Sequence, residues 1–123
     1  MLNRQQQFGK KSEKLAAEFL KRTGYRIVET NYQSTVGEID IIAKERDSLV
    51  FVEVKARSSR RFGSPKGAVT PAKQRKLSMA ALDYLKKNDQ INAKARFDVV
   101  AIDTSGESLD IEVVRNAFAL AYG

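Results

Sequence analysis

The sequence contains no cysteine and no histidine among its 123 residues. These absences exclude disulfide bonds, thiol nucleophiles, Cys/His zinc sites and any acid–base chemistry based on imidazole. Any metal ion must therefore be held by oxygen ligands. The chain also has only 2 Pro and 7 Gly, together with 42% apolar residues, so we expect a single folded domain over residues 1–123.

Long hydrophobic runs are absent as well. No segment approaches the ~20 apolar residues that a membrane-spanning helix requires. The amino-terminal residues MLNRQQQFGKKSEK lack the apolar stretch of a signal peptide. We therefore expect a soluble, cytoplasmic protein that does not act at a membrane.

The charge of the chain is strongly unbalanced. It has 22 Lys and Arg against 15 Asp and Glu, a net charge of +7. Such an excess favours a polyanionic partner such as nucleic acid, because binding releases counterions from the phosphates. A high net charge can also serve solubility alone, so composition leaves both explanations open.

Helical and strand periodicities alternate along the chain and predict an α/β fold. Gly24 marks the end of the first helix, and Thr70 and Pro71 mark the start of the second. A segment rich in Ser, Gly and basic residues, over 56–70, is predicted to be a loop. The predicted elements, in the order α-β-β-β-α-β-β, are a helix over about 4–23, strands over 25–31, 36–43 and 49–55, a helix from 70 to about 88, and strands over 96–102 and 109–114. They predict a mixed five-stranded sheet flanked by helices.

The most informative stretch is Gly37-Glu38-Ile39-Asp40, followed by Glu53-Val54-Lys55. If residues 45–48 form a four-residue hairpin loop, residue 40 faces residue 53 and residue 38 faces residue 55. This register places charged residues together at one end of one face. The opposite face is then wholly apolar, as a core face requires, and carries Ile39, Ile41, Ala43, Val50, Val52 and Val54.

Adjacent carboxylates at Asp40 and Glu53 would repel each other unless a cation compensates them. Mg²⁺ prefers oxygen ligands and accepts phosphate oxygens in its remaining positions. A neighbouring Lys55 could orient an attacking water and offset charge on a phosphate, as phosphodiester hydrolysis requires. A solvated hairpin face with cross-strand ion pairs would give the same pattern, so the residues alone leave both interpretations open.

The motifs Gly37-Glu38-Ile39-Asp40 and Phe51-Val52-Glu53-Val54-Lys55-Ala56-Arg57 resemble the bacterial UPF0102 (YraN-like) family of the PD-(D/E)xK nuclease superfamily, which is related to archaeal Holliday-junction resolvases. The resemblance covers almost the whole chain. It also includes Gly9, Glu13, Ala16, Gly24-Tyr25, Asn31, Phe62-Gly63, Lys73, residues 81–85, Phe97-Asp98-Val99 and Asn116-Ala117-Phe118.

The resemblance implies a restriction-endonuclease-like core and a nuclease that uses Mg²⁺ or Mn²⁺ to hydrolyse DNA, including branched or structured DNA. By resemblance, Asp40, Glu53 and Glu13 are metal ligands, and Lys55 completes the catalytic set. Helical periodicity alone does not choose between Glu13 and Glu18. Ile39 takes the place of the proline that gives the superfamily motif its name. A homodimer is also implied, since resolvase relatives act on junctions with two-fold symmetry.

Several further residues are candidates for contacts near the site. Glu38 could ligate a metal or pair with Lys55, and of the two we expect pairing. We expect Asp98 to face either solvent or a neighbouring cation. The predicted nucleic-acid-binding residues are Arg57, Arg60, Arg61, Lys66 and Lys73. Two alternatives to a nuclease remain at this stage: a catalytically silent nucleic-acid-binding module on the same fold, and an interaction protein whose acidic cluster is only structural.

Overall fold

The computed structural model describes residues 3–57, 69–104, 106 and 108–119, apart from the side chain of residue 5. The elements are α1 (Arg4–Arg22), β1 (Arg26–Ser34), β2 (Gly37–Glu45), β3 (Ser48–Arg57), α2 (Pro71–Lys87), β4 (Ala95–Asp103) and β5 (Asp110–Phe118). This order confirms the predicted α/β architecture. Neither of these two helices is long and apolar enough to span a membrane. The predicted phosphate-contacting residues Arg60, Arg61 and Lys66 lie outside the described residues.

Both helices begin and end at residues suited to those positions. Asn3 caps α1 by accepting a hydrogen bond from the Gln6 amide at 2.8 Å, and Gly24 follows the helix with a φ of 102°. The left-handed conformation at Gly24 costs little because glycine has no Cβ. Thr70 caps α2 by accepting from the Lys73 amide at 3.2 Å, and Pro71 occupies the first turn. The predicted signals at Gly24, Thr70 and Pro71 are therefore confirmed.

The sheet has five strands in the order β1-β2-β3-β4-β5. β3 and β4 are parallel, whereas the other neighbouring pairs are antiparallel. Parallel neighbours require a crossover connection, and the chain makes it through α2. The sheet is thus mixed, as predicted, and β3 lies at its centre.

Each face of the sheet is covered by a helix, as predicted, but the prediction that Ile39 shares a face with Ile41 is wrong. α1 covers the face that carries Ile41 and Val52, and α2 covers the face that carries Ile42 and Phe51. Ile39 packs with the residues on the α2 side rather than beside Ile41. The alternation along β2 is therefore broken at residue 40. Burial on both faces explains the nearly continuous apolar run of β3.

The predicted register of the β2–β3 hairpin is confirmed from Ile41 paired with Val52 to Glu45 paired with Ser48. The turn is shorter than predicted. Because Glu45 and Ser48 pair, only Arg46 and Asp47 connect the strands, and Arg46 has a φ of 56°. A left-handed turn residue of this kind is typical of tight two-residue hairpins.

Asp98 is fully buried, so the option that it faces solvent is wrong and the option of a neighbouring cation is confirmed. Its carboxylate accepts hydrogen bonds from the Tyr25 hydroxyl at 2.7 Å and from Arg96 Nε at 3.0 Å. It also accepts from the Asn116 amide at 2.9 Å, at a bulge where Asn116 has a φ of 51°. Arg96 extends the network to Glu45, 2.6 Å away. The network joins the segment between α1 and β1 to β2, β4 and β5.

The Asp98 network generates a stability prediction. Asp98→Ala should lower the free energy of unfolding by about 3–5 kcal/mol, because it leaves the buried donors of Tyr25 and Arg96 without their shared acceptor. Urea denaturation followed by circular dichroism measures this change. The matched control is Asp47→Ala, which removes an acid that is 78% exposed and pairs with Lys94 at 3.5 Å. A loss of under about 1 kcal/mol for Asp98→Ala, similar to that of the control, would show that the network is not a stabilising element.

Candidate metal centre

The regular pairing of β2 with β3 ends at Ile41 and Val52, and Asp40 lies just beyond this point. Its Oδ2 accepts a hydrogen bond from the backbone N–H of Val54 at 2.9 Å. Asp40 and Glu53 are therefore neighbours on adjacent strands, but not the regular cross-strand pair that an ideal hairpin predicts. The separation of the strands gives the carboxylate of Asp40 a backbone donor that the sheet ladder would otherwise use.

Three carboxylates meet at this position. One oxygen from each of Glu13, Glu38 and Asp40 lies within 4.8 Å of the others, and all three residues are partly buried. Glu13 comes from α1, whereas Glu38 and Asp40 come from β2. We call these three residues the carboxylate trio. Glu18, the other acid of α1 considered from the sequence, is exposed.

Asn31 on β1 is positioned to bridge two members of the trio. With its amide nitrogen turned toward the carboxylates, it donates to Glu13 Oε2 at 3.0 Å and to Glu38 Oε1 at 3.2 Å. Asn31 lies between the pairs that join Thr30 to Ile41 and Tyr32 to Ile39, and it has a φ of 54°. Asparagine tolerates this left-handed conformation better than the β-branched residues around it would.

Glu53 is adjacent to the trio and is paired with lysines. Its side chain is 7% exposed, and its Oε1 lies 3.7 Å from Lys55 Nζ and 4.0 Å from Lys73 Nζ. Lys55 comes from the same strand, and Lys73 comes from the first turn of α2. The predicted Glu38–Lys55 pair is therefore wrong, since the ion pair of Lys55 is with Glu53. Glu38 lies instead in the carboxylate trio.

The pKa values of these acids show the electrostatic cost of the arrangement. Burial, and then the charges of Asp40 and Glu38, raise the pKa of Glu13 to about 7. Burial and the charge of Asp40 likewise raise the pKa of Glu53 to about 7, although Lys73 and Lys55 act in the opposite direction. Burial also raises the pKa of Asp40, against the hydrogen bond from Val54. Without a further cation, the acids are thus held where ionisation is unfavourable.

The structure brings together the four residues proposed as catalytic: Glu13, Asp40, Glu53 and Lys55. Lys73, predicted only as a phosphate contact, lies beside Glu53. Arg57 is partly buried at the end of β3, two residues beyond Lys55. Two members of the site were not selected from the sequence. For Glu38, the sequence indication is its position two residues before Asp40. For Asn31, it is the presence of a poor strand former within a strand.

Taken together, the chain is a mixed α/β protein with a carboxylate cluster at the point where two central strands separate. Residues 12–102 match the family model described as Uncharacterised protein family UPF0102. The chain belongs to this family. It is 52% identical over 118 residues to a UPF0102 protein of Desulfosudis oleivorans, covering 96% of this chain and 94% of that one. A UPF0102 protein of Geobacter metallireducens is 50% identical over 114 residues, covering 93% of each chain.

The raised pKa of Glu53 predicts how stability depends on pH. A carboxyl whose pKa is higher in the folded state contributes stability below its unfolded pKa, and this stability is lost as pH rises to about 7. Glu53→Gln should therefore gain stability relative to the wild type between pH 4 and pH 8. The gain should be about 1–2 kcal/mol in the free energy of unfolding, or roughly 4 °C or more in Tm. Thermal melts in EDTA at both pH values measure the effect.

The control for this experiment is Glu18→Gln, which removes one negative charge from an exposed position on α1. It should change Tm equally at the two pH values. If Glu53→Gln also changes Tm equally at both, burial and repulsion do not act on Glu53 as described.

Proposed function

We propose that the protein is a divalent-metal-dependent nuclease that hydrolyses phosphodiester bonds of DNA. The observation that supports this most directly is the meeting of Glu13, Glu38 and Asp40 within 4.8 Å, beside the lysine-flanked carboxylate of Glu53. The membership of the chain in UPF0102, which by sequence resembles PD-(D/E)xK nucleases, supports the same function.

The residues fit a hard divalent cation such as Mg²⁺ or Mn²⁺. All of the candidate ligands are oxygen atoms, as these ions prefer, and they come from α1, β2 and β3. Two of these carboxyls, Glu13 and Glu53, have a pKa near 7, so at neutral pH a small gain in binding energy is enough to hold them ionised. When bound, the metal would polarise the phosphate and lower the pKa of a bound water.

The side chains have different roles in the proposed hydrolysis. Asp40, Glu13 and Glu38 would hold the cation, with Glu53 as a further ligand. The scissile phosphate would occupy the side of the site that Lys55 and Lys73 flank. Lys55 orients the attacking water, whose oxygen bonds to phosphorus as the P–O bond to the leaving oxygen breaks. The proton of the water passes to solvent, and the leaving oxygen takes a proton from solvent. Both lysines offset the charge that develops on the phosphate.

In our proposal the polyanionic substrate of this site is DNA. The chain carries a net charge of +7 despite its cluster of acids. Lys73 is 41% exposed and Lys55 39% exposed, so both ammonium groups are open to a phosphate. Phosphate contacts of this kind position a duplex without reading its sequence. The nuclease should therefore select DNA by shape rather than by base sequence.

The first prediction of this proposal concerns metal affinity. Asp40→Asn should weaken Mn²⁺ binding by about tenfold or more, because it removes a charged ligand from the centre of the trio. Glu38→Gln should also weaken Mn²⁺ binding. This result would distinguish the carboxylate trio, which includes Glu38, from the ligand set expected from the sequence, which does not. Isothermal titration calorimetry at pH 7.5 measures both. Asp47→Asn is the matched control, with the same loss of charge at an exposed turn. Equal affinity in the wild type and Asp40→Asn would refute the metal site.

The second prediction concerns turnover. Lys55→Ala should abolish cleavage while DNA and Mn²⁺ binding remain largely intact, because an ammonium group is not a metal ligand and acts mainly in the transition state. Lys55→Arg should rescue poorly, since a guanidinium differs in shape and basicity. Cleavage of linear, flapped and four-way-junction DNA with Mg²⁺ or Mn²⁺ measures turnover, and Lys87→Ala serves as an exposed lysine control.

Two outcomes of this assay would count against the proposal. Equal cleavage by the wild type and Lys55→Ala would mean that another site or a contaminant cuts the DNA. If the wild type binds DNA but cleaves none of the substrates, the silent nucleic-acid-binding module is the better description.

A further inference from the structure

A shallow groove lies between the turn that joins β1 to β2 and the exposed side of α2. It has a volume of about 430 Å³ and is lined by Val36, Arg75, Lys76 and Met79. A smaller hollow of about 180 Å³ continues it along α2, past Leu82 and Lys86. We call the combined feature the α2 groove. It is separate from the carboxylates and is not explained by the proposed catalytic residues.

The floor of the α2 groove is apolar and the rim is positively charged. Val36 is 43% exposed and Met79 is 40% exposed, so both present uncovered apolar surface. The cations at the rim are Arg75, Lys76 and Lys86. Among the described lining residues the one acid is Asp83, which accepts from the Tyr32 hydroxyl at 2.7 Å and pairs with Lys87 at 3.3 Å. The groove is therefore suited to an anionic ligand that also has apolar faces.

The groove shares no described lining residue with the candidate metal centre, but each of its walls leads to that centre along the chain. On one wall, Val36 precedes the ligand Glu38 by two residues. On the other, Lys76 lies one helical turn beyond Lys73, which contacts Glu53. The turn and the helix approach each other closely here, since a Cβ built on Gly37 would be in ordinary van der Waals contact with the backbone oxygen of Lys76, at 3.4 Å. A ligand strand that leaves the metal centre along α2 would enter this groove.

We propose that the α2 groove binds an unpaired DNA strand that extends from the scissile phosphate. A duplex presents its phosphates but stacks its bases inside the helix, so the base faces are not available to contact an apolar floor. An unpaired strand exposes both, and proteins bind such strands by combining cationic rims with surfaces on which bases rest. This inference rests on the proposed nuclease function and specifies its substrate as DNA with an unpaired arm.

The test compares the affinities of related DNA probes by fluorescence anisotropy, with Ca²⁺ replacing Mg²⁺ in the buffer. The probes are a short duplex, the same duplex with an unpaired arm, and that substrate with an RNA arm. The wild type should bind the DNA-armed probe about fivefold or more tighter than the duplex. The double variant Val36→Ser/Met79→Ser should lose this preference and keep its affinity for the duplex. Ile91→Ser/Leu109→Ser, which changes two apolar residues elsewhere that are 49% and 47% exposed, should keep it.

The charged rim can be tested in the same assay. Arg75→Ala/Lys76→Ala should weaken binding of the armed probe and reduce its salt dependence by about 0.7 in the log–log slope for each lost contact with the unpaired strand. Lys21→Ala/Arg22→Ala removes the same charge from the far end of α1 and should leave the preference for the arm unchanged. Equal effects of the two variants would mean that only net charge matters and would overturn the inference.

The remaining outcomes separate this inference from the function on which it rests. If the wild type binds DNA but the floor variant keeps its preference for the arm, the groove is not the binding surface, and the proposed nuclease stands. Tighter binding of the RNA arm would overturn the choice of DNA. A wild-type dimer in light scattering that Val36→Ser/Met79→Ser dissociates would assign the groove to a second copy of the chain. If the wild type binds none of the probes at low salt, the proposed function fails together with the inference.

Discussion

The repulsion among buried carboxylates is the constraint around which this site is built. Burial and neighbouring charge raise the pKa of Glu13 and of Glu53 to about 7, so holding them together costs free energy in the protein alone. Each nearby donor offsets part of that cost: Asn31 at Glu13, the Val54 amide at Asp40, and two lysines at Glu53. Carboxyl groups with raised pKa values are common at functional sites, and this supports the function proposed above.

The fold assembles this cluster from both faces of the sheet. α1 contributes Glu13 from one side and α2 contributes Lys73 from the other, while β2 and β3 contribute the residues between them. They can meet only where the sheet is interrupted, because intact strands would separate the two faces. The interruption lies between β2 and β3, whose regular pairing ends at Ile41 and Val52. Asp40 lies just beyond this point, opposite Asn31 of β1, which has a left-handed backbone. The same interruption leaves the Val54 amide free to bind the Asp40 carboxylate.

The sequence predicts the regular parts of this molecule well and the interruptions poorly. Apolar alternation is enough to find the β2–β3 register, because a shift of one residue would bury acids among valines. It fails at Ile39, since the change of face depends on the backbone of Asn31 in another strand. The burial of Asp98 is hard to predict because two of its partners, Tyr25 and Asn116, lie 73 and 18 residues away in sequence. Ideal hairpin geometry pairs Glu38 with Lys55, but the regular pairing of β2 with β3 ends at Ile41 and Val52, before it reaches either residue.

The most direct test of the central claim is a crystal structure of the protein with Mn²⁺, measured for anomalous scattering at the manganese absorption edge. This experiment locates the ion independently of any assay for activity. Our account predicts an anomalous peak bonded to carboxylate oxygens of Asp40 and at least one of Glu13, Glu38 and Glu53, at oxygen–metal distances of about 2.1–2.3 Å. Saturating Mn²⁺ with no peak at these carboxylates, or with a peak only at other residues, would contradict the account.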